Sequence, residues 1–242
     1  MKSEVRSAYY ALPGGIWRDY ITLLHLPYIM WHLSYVVLGA AAAPEVHLYR
    51  VGGLVLAFFL AVGLGAHALD EHRGRPLGTR IPDDWLLALA IVSLSAALGI
   101  GLVASLTISL WAIPFVVFGG FIVPAYNLEW WGGRFHSDIW FGLAWGAFPA
   151  LVGYWANAET LEVEAAVVAA ACFSLSLAQR VMSRRARELR RDALTVSGRI
   201  QLRDGRVEAI TIPYLLDVPE KSLRLVGLSV TLLAVGWLVA RM

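Results

Sequence analysis

The chain has 242 residues, of which 58% are hydrophobic and only 16% are charged. About a quarter of the residues of a typical soluble domain are charged, so this composition excludes an ordinary soluble protein and predicts a membrane protein with several spans. The formal net charge is only +2, and no feature of the sequence predicts a nucleic-acid partner.

Seven transmembrane helices are predicted from stretches without charged side chains. A span needs about 20 apolar residues, so the longest stretch holds two spans, which reverse near residues 105–107. The charge-free stretches are residues 21–44, 51–69, 85–128, 139–158, 165–179 and 225–240. The sequence therefore predicts an all-α membrane protein that forms a single polytopic domain over residues 1–242.

The positive charges predict how this protein is oriented. With seven spans and a cytoplasmic N-terminus, eighteen of the twenty Lys and Arg residues lie on the cytoplasmic side, and only Arg50 and Arg241 lie outside. This distribution follows the positive-inside rule and places the C-terminus outside. Such a basic face either attracts anionic lipid head groups or phosphate-bearing substrates, or serves only for orientation and lipid contact.

Two segments outside the spans also have structural signals. Residues 1–20 are predicted to lie at the membrane interface, because they mix polar and apolar side chains ahead of the first span. Residues 180–221 are predicted to form a cytoplasmic helix followed by a small β-hairpin between helices six and seven. The hairpin is indicated by alternating apolar and polar residues about Asp204 and Gly205, a pair that tolerates the φ values of a tight turn.

Two acidic clusters follow the second and sixth predicted spans. His67, Asp70 and Glu71 form the first, and Glu188 and Asp192 form the second. In a helix, His67 and Asp70 share one face, and so do Glu188 and Asp192. Two facing acidic pairs are suited to hold Mg²⁺ against a diphosphate, since Mg²⁺ prefers a few carboxylates with phosphate oxygens and water. Alternatively, Glu188 and Asp192 only balance neighbouring arginines on a solvated helix.

The order of these motifs resembles the UbiA superfamily of intramembrane aromatic prenyltransferases over about residues 18–192. Asp70, followed by Arg75 and Pro76, lies where that family has its first acidic motif and an Arg-Pro pair. The segment Glu188-Leu-Arg-Arg-Asp192 takes the place of the family's second motif, Asp-x-x-x-Asp. Three further segments are similar to the family's first span and to the loop and span after its fourth helix, namely residues 20–27, 126–129 and 142–149.

The resemblance implies a helical bundle around a lipid-accessible cavity, where an isoprenyl diphosphate is ionised and the allylic cation alkylates an acceptor. It implies that Asp70, Glu188 and Asp192 bind magnesium and the diphosphate, and it puts His67 and Glu71 in the same catalytic cluster. It also implies that the substrate is bound by Tyr126 and by four arginines that neutralise the leaving group. The four arginines are Arg75, Arg134, Arg187 and Arg191.

His32 lies near the middle of the first predicted span, where an ionisable residue is a candidate for function. It is expected to contact an acceptor head group, or to bind haem with His25 two turns away. The alternative is a neutral histidine that is hydrogen-bonded to a neighbouring helix.

Three functions stay open on the sequence. The first is magnesium-dependent transfer of a prenyl group from an isoprenoid diphosphate to a lipid or aromatic acceptor, in contact with membrane lipids. The second is a non-catalytic relative that binds a lipid, quinone or pigment within a complex of membrane subunits. It is favoured by His67, which stands where the family has an Asp, and by seven spans in place of nine. The third is a haem or metal redox protein.

Overall fold

The computed structural model describes residues 7–12 and 15–242. Within them, seven helical segments are long and apolar enough to cross a membrane, which confirms the predicted number. In chain order they are Ile16–Ala42, Leu48–Gly74, Asp83–Thr107, Leu110–Asn127, Asp138–Ala158, Val163–Asp192 and Ile212–Ala240. The third span ends at Thr107, at the reversal that the sequence predicts.

Most of the spans contain more than one helical element. The α-helices are α1 (Ile16–Leu23), α2 (Leu26–Ala42), α3 (Leu48–Phe58), α4 (His67–Gly74), α5 (Asp83–Thr107), α6 (Ile113–Asn127), α7 (Trp130–Gly133), α8 (Asp138–Phe141), α9 (Phe148–Ala158), α10 (Val163–Arg187) and α11 (Ile212–Ala240). Three π-helical segments extend or join them, namely Phe59–Ala66, Gly142–Ala147 and Glu188–Asp192. A 3₁₀ turn, Leu110–Ala112, precedes α6.

The helix starts follow from local sequence. A proline lies in the first turn of α2, α6 and α11, where its missing N–H costs no hydrogen bond. Hydroxyl groups cap the starts of α8 and α11: Ser137 accepts from the backbone N–H of Trp140 at 3.3 Å, and Thr211 accepts from that of Tyr214 at 3.2 Å. These residues mark where four of the helices begin.

The fifth span lies at the centre of the packing. In its most apolar window 67% of the residues are buried, against 17% in the third span. Helix α2 packs along α9 at close range, because Gly39 faces Ala150 and Gly153 faces Val36, and a Cβ atom at either glycine would overlap a backbone oxygen of the other helix. Small residues permit this approach of two helix backbones, as in other membrane proteins.

The predicted hairpin is present, although it is short. Strands β1 (Arg199–Gln201) and β2 (Val207–Ala209) pair in antiparallel fashion between the sixth and seventh spans. The turn contains Gly205 at φ +87°, and the Asp204 carboxylate accepts the backbone N–H of Arg206 at 3.0 Å. Glycine adopts this left-handed conformation without steric cost.

The two ends of the spans have different polar contacts. We call the end that carries residues 75–82, 128–137 and 193–211 the basic end. At the opposite end, Asn157 accepts the backbone N–H of His47 at 2.7 Å, and Arg241 donates to Pro44 O at 2.6 Å. The assignment of the basic end to the cytoplasm stays a prediction from charge.

The N-terminal part of the predicted interfacial segment is only partly described. Residues 1–6 and 13–14 lie outside the described residues. Helix α1 exposes 71% of Ile16 and 82% of Trp17, a surface suited to contact with lipid head groups. Residues 7–12 pack over the basic end instead.

A candidate binding cavity at the basic end

A cavity of about 230 Å³ lies at the basic end. It is enclosed by residues 7–10 and by parts of the first, second, fourth, fifth, sixth and seventh spans. Its ionisable side chains are Tyr9, Tyr10, His25, Tyr28, His32, His67, Asp70, Tyr126, His136, Arg180, Arg187, Arg190, Arg191 and Glu220. This concentration of polar groups distinguishes the cavity from the apolar surfaces of the spans.

The structure brings together one part of the site that the sequence predicts. The predicted residues that line the cavity are His32, His67, Asp70, Tyr126, Arg187 and Arg191. The predicted residues that do not line it are Glu71, Arg75, Arg134, Glu188 and Asp192.

Glu71 and Arg75 organise the loop after the second span. The buried carboxylate of Glu71 accepts the backbone N–H groups of Leu77 at 2.9 Å and Thr79 at 2.7 Å. Arg75 donates to the carbonyl oxygen of Thr79 at 2.9 Å and pairs with Asp83. Both charged side chains therefore hold the backbone of residues 75–83.

Glu188 and Asp192 lie on the exposed side of the sixth span. Glu188 accepts from Arg185 at 2.9 Å, as expected for charges that balance each other on a solvated helix. Arg187 and Arg191, four residues apart, face the cavity instead. The acidic pair that the sequence places opposite Asp70 is thus replaced there by two arginines. Arg134 is also exposed.

The residues present do not fit a magnesium site held by two acidic motifs. Among the described residues, no group of three or more His, Cys, Asp or Glu side chains is placed to hold a metal ion. Glu220 is the second carboxylate in the cavity lining beside Asp70, and it pairs with Arg190 at 2.9 Å. Magnesium stays a prediction of the sequence.

Two of the four cavity arginines form no ion pair with the acidic residues that the structure describes. Arg180 pairs with Asp138 at 2.9 Å, and Arg190 pairs with Glu220. Arg187 and Arg191 form no ion pair among the described residues. Arg187 donates to Ser183 Oγ at 3.3 Å, and Arg191 donates to Ser7 O at 3.2 Å. Both charges attract Asp70 at longer range.

The hydrogen bonds of two histidines define which ring nitrogen carries a proton. Nδ1 of His67 bonds to Gly63 O at 3.1 Å, and Nδ1 of His32 bonds to Trp145 O at 2.8 Å. A carbonyl oxygen has no proton to give, so Nδ1 is the donor in both rings and Nε2 of the neutral ring is an acceptor. His25 packs on His67 with ring centroids 4.0 Å apart.

Residues 7–12 contribute cavity residues that the sequence reasoning missed. The Tyr10 ring lies 5.1 Å from His25 and 5.4 Å from Tyr28. Burial raises the pKa of Tyr10 well above its ordinary value and that of Tyr9 to about 12, although the Arg224 charge opposes the latter shift. Both hydroxyls are therefore neutral at physiological pH. No motif in the sequence indicated that this segment returns to the cavity.

An apolar groove adjoins the polar cavity. It measures about 110 Å³ and is lined by side chains of the second to fifth spans, among them Phe58, Val62, Leu94 and Phe148. Trp145 lines both the groove and the cavity. The site thus combines a basic compartment with an apolar one.

Comparison of the chain with protein-family models, curated proteins and solved structures finds no match in any of the three.

Proposed function

We propose that this protein is a UbiA-like integral membrane prenyltransferase that binds an isoprenoid diphosphate at the basic end. The observation that carries the proposal is the pair Arg187 and Arg191, whose charges enter the cavity without an ion-pair partner among the described residues. Arginine is well suited to diphosphate because its planar donors match phosphate oxygens.

The apolar groove supports an isoprenoid as the rest of the ligand. Its lining consists almost wholly of hydrocarbon side chains, and Trp145 lines both the groove and the basic compartment. An amphiphile with an anionic head and a hydrocarbon chain would place its two parts in these two compartments.

Prenyl transfer requires a leaving group that is stabilised as its bond breaks. The carbon–oxygen bond of the prenyl diphosphate breaks, and the diphosphate keeps the electron pair. The acceptor supplies the electron pair of the new bond to carbon and then loses a proton. Arg187 and Arg191 would stabilise the departing diphosphate, and Nε2 of His67 is an acceptor available for the proton.

The second candidate is a non-catalytic isoprenoid, quinone or pigment carrier within a membrane complex. Glu71 is engaged in a loop, and Glu188 and Asp192 point away from the cavity. A protein that only binds its ligand does not need these carboxylates at the cavity.

Farnesyl diphosphate binding to the purified protein in lipid nanodiscs tests the proposal. The double variant Arg187→Gln/Arg191→Gln should bind at least about 100-fold more weakly, since each bond between charged groups contributes roughly 1.5–3 kcal/mol. Arg185→Gln is the matched control, because Arg185 is exposed and outside the cavity lining. It should bind like the wild type.

Mass spectrometry of lipid and aromatic acceptors incubated with magnesium and farnesyl diphosphate separates the two candidates. A prenylated product supports the transferase. Tight binding without product supports the carrier, and absence of binding to the wild type contradicts the proposed head-group site.

A further inference from the structure

We infer that the inner part of the cavity is a second subsite that selects a neutral ligand group able to donate a hydrogen bond, such as a hydroxyl or amine. Gln179, His32 and Tyr126 are the residues that recognise this group. None of the arginines that carry the proposed diphosphate site belongs to this set.

Gln179 provides the first observation. Its side chain is 2% exposed and lines the cavity, and its Oε1 has no hydrogen-bond partner among the described residues. An amide oxygen can only accept a hydrogen bond. A buried acceptor of this kind destabilises the protein unless a ligand or water supplies the donor.

His32 provides a second acceptor. It is 5% exposed and lines the same cavity. Its Nδ1 proton is used in the hydrogen bond to Trp145 O, so Nε2 of the neutral ring accepts. The ring is held in place by this bond and by Phe141, whose ring centroid lies 5.8 Å away.

Tyr126 completes the set. Its hydroxyl is buried and has no hydrogen-bond partner among the described residues. The ring is fixed between His136, at 4.4 Å between centroids, and Trp145, at 4.5 Å. A hydroxyl donates or accepts, so it adapts to whatever group the other two residues bind.

Gln179 and His32 disfavour a ligand oxygen that has no proton to donate. Gln179 Oε1 and His32 Nε2 would both present lone pairs to an anion that has no proton to share. A hydroxyl or amine satisfies at least one of them and removes the cost of the unpaired acceptor. The role of this subsite as the acceptor site of prenyl transfer rests on the proposed function, but its selectivity does not.

Two small ligands of similar shape test the selectivity. They are 4-propylphenol and its methyl ether 4-propylanisole, which has no O–H. Binding to the full-length protein in nanodiscs is measured by calorimetry, with protein-free nanodiscs as the reference for partitioning. The phenol should bind at least about 10-fold more tightly than the ether.

Two variants assign that selectivity to residues. Gln179→Met keeps the side-chain length without the acceptor, and Tyr126→Phe keeps the ring without the hydroxyl. Each should weaken phenol binding by about 2- to 12-fold, the range of one net hydrogen bond. Gln179→Met should leave binding of the ether unchanged, because the ether has no proton for Gln179 Oε1. Gln201→Met, in the exposed hairpin, is the matched control and should change neither.

The inference is overturned if the wild type binds the ether as tightly as the phenol. It is equally overturned if neither ligand binds, or if Gln179→Met weakens phenol and ether alike. Farnesyl diphosphate binding by Gln179→Met should equal that of the wild type. If the wild type does not bind farnesyl diphosphate but still binds the phenol more tightly than the ether, the proposed function is refuted and this subsite stands.

Discussion

Asp70 and Glu71 are adjacent in the sequence but lie in different surroundings. Successive residues of an α-helix point about 100° apart. Asp70 therefore lines the cavity, while Glu71 turns to the loop that follows and accepts two backbone N–H groups. The same rotation separates Arg187, in the cavity, from the exposed Glu188. The type of a residue predicts its chemistry, but its azimuth on the helix decides whether it reaches the site.

We expect Glu71→Gln to destabilise the protein. Glutamine keeps one acceptor oxygen and places an amide donor against a second N–H, so one buried backbone donor loses its partner, at a cost of about 1–3 kcal/mol. The melting temperature should fall by several degrees, at roughly 2–4 °C per kcal/mol for a chain of this size. Cys172 is the only cysteine and is 1% exposed, so a thiol-reactive dye reports unfolding.

Glu188→Gln is the matched control for that measurement. Glu188 is exposed and paired with Arg185 on the same helix, so its change should stay within about 0.5 kcal/mol. Equal melting temperatures for Glu71→Gln and Glu188→Gln would refute the structural role of Glu71.

At the scale of elements, all three π-helical segments border the cavity. Phe59–Ala66 ends directly before His67, Gly142–Ala147 contains Trp145, and Glu188–Asp192 contains Arg191. The hydrogen bonds of a π-helix run between residues five apart. A π-helical segment therefore changes the direction in which the side chains after it point, and such segments are frequent at functional sites.

Two glycine substitutions are predicted to change stability in opposite directions, one at the contact between α2 and α9 and one at an open position in α3. Gly153→Ala should destabilise the protein by at least about 1–3 kcal/mol, because the new methyl group meets the backbone oxygen of Val36. Gly52→Ala in α3 meets no atom within 4 Å and should stabilise by roughly 0.5–1 kcal/mol through helix propensity. The Cys172 assay measures both, and a Gly153→Ala variant as stable as the wild type would contradict this packing.

At the scale of the whole molecule, seven helical segments of the described chain are long and apolar enough to cross a membrane, and an odd number of crossings predicts that the first span begins and the seventh span ends on opposite sides. The positive charge collects at the end that also holds the cavity, and the positive-inside rule predicts that this end faces the cytoplasm. Arg50 and Arg241, at the opposite end, are engaged with backbone carbonyl groups of Ala156 and Pro44.

Cysteine labelling in intact cells tests this orientation. Arg203→Cys lies in the exposed hairpin at the basic end, and Glu162→Cys lies in the exposed loop between the fifth and sixth spans. A membrane-impermeant maleimide should label Glu162→Cys in intact cells and Arg203→Cys only after permeabilisation, because positive loops stay inside. The buried Cys172 provides the unlabelled background. The reverse pattern would refute the predicted sidedness.

The number of spans and the hairpin could be predicted because both depend on local sequence. About 20 consecutive apolar residues satisfy the bilayer wherever the helix packs, and Asp204 with Gly205 forms its turn without distant contacts. His67 and Asp70 are identified for a related reason, since charge at the end of an apolar helix is conspicuous in the sequence alone.

The membership of the cavity depends on tertiary structure. Tyr10 enters it because residues 7–12 fold back over the basic end, and Gln179 enters it because α10 turns that side chain inward. Glu188 and Asp192 leave it for the same geometric reason. The sequence by itself determined which segments cross the membrane and where the charges collect. Only the packing of the helices decided which of those charges share a cavity, because the rotation of each helix is set by its neighbours.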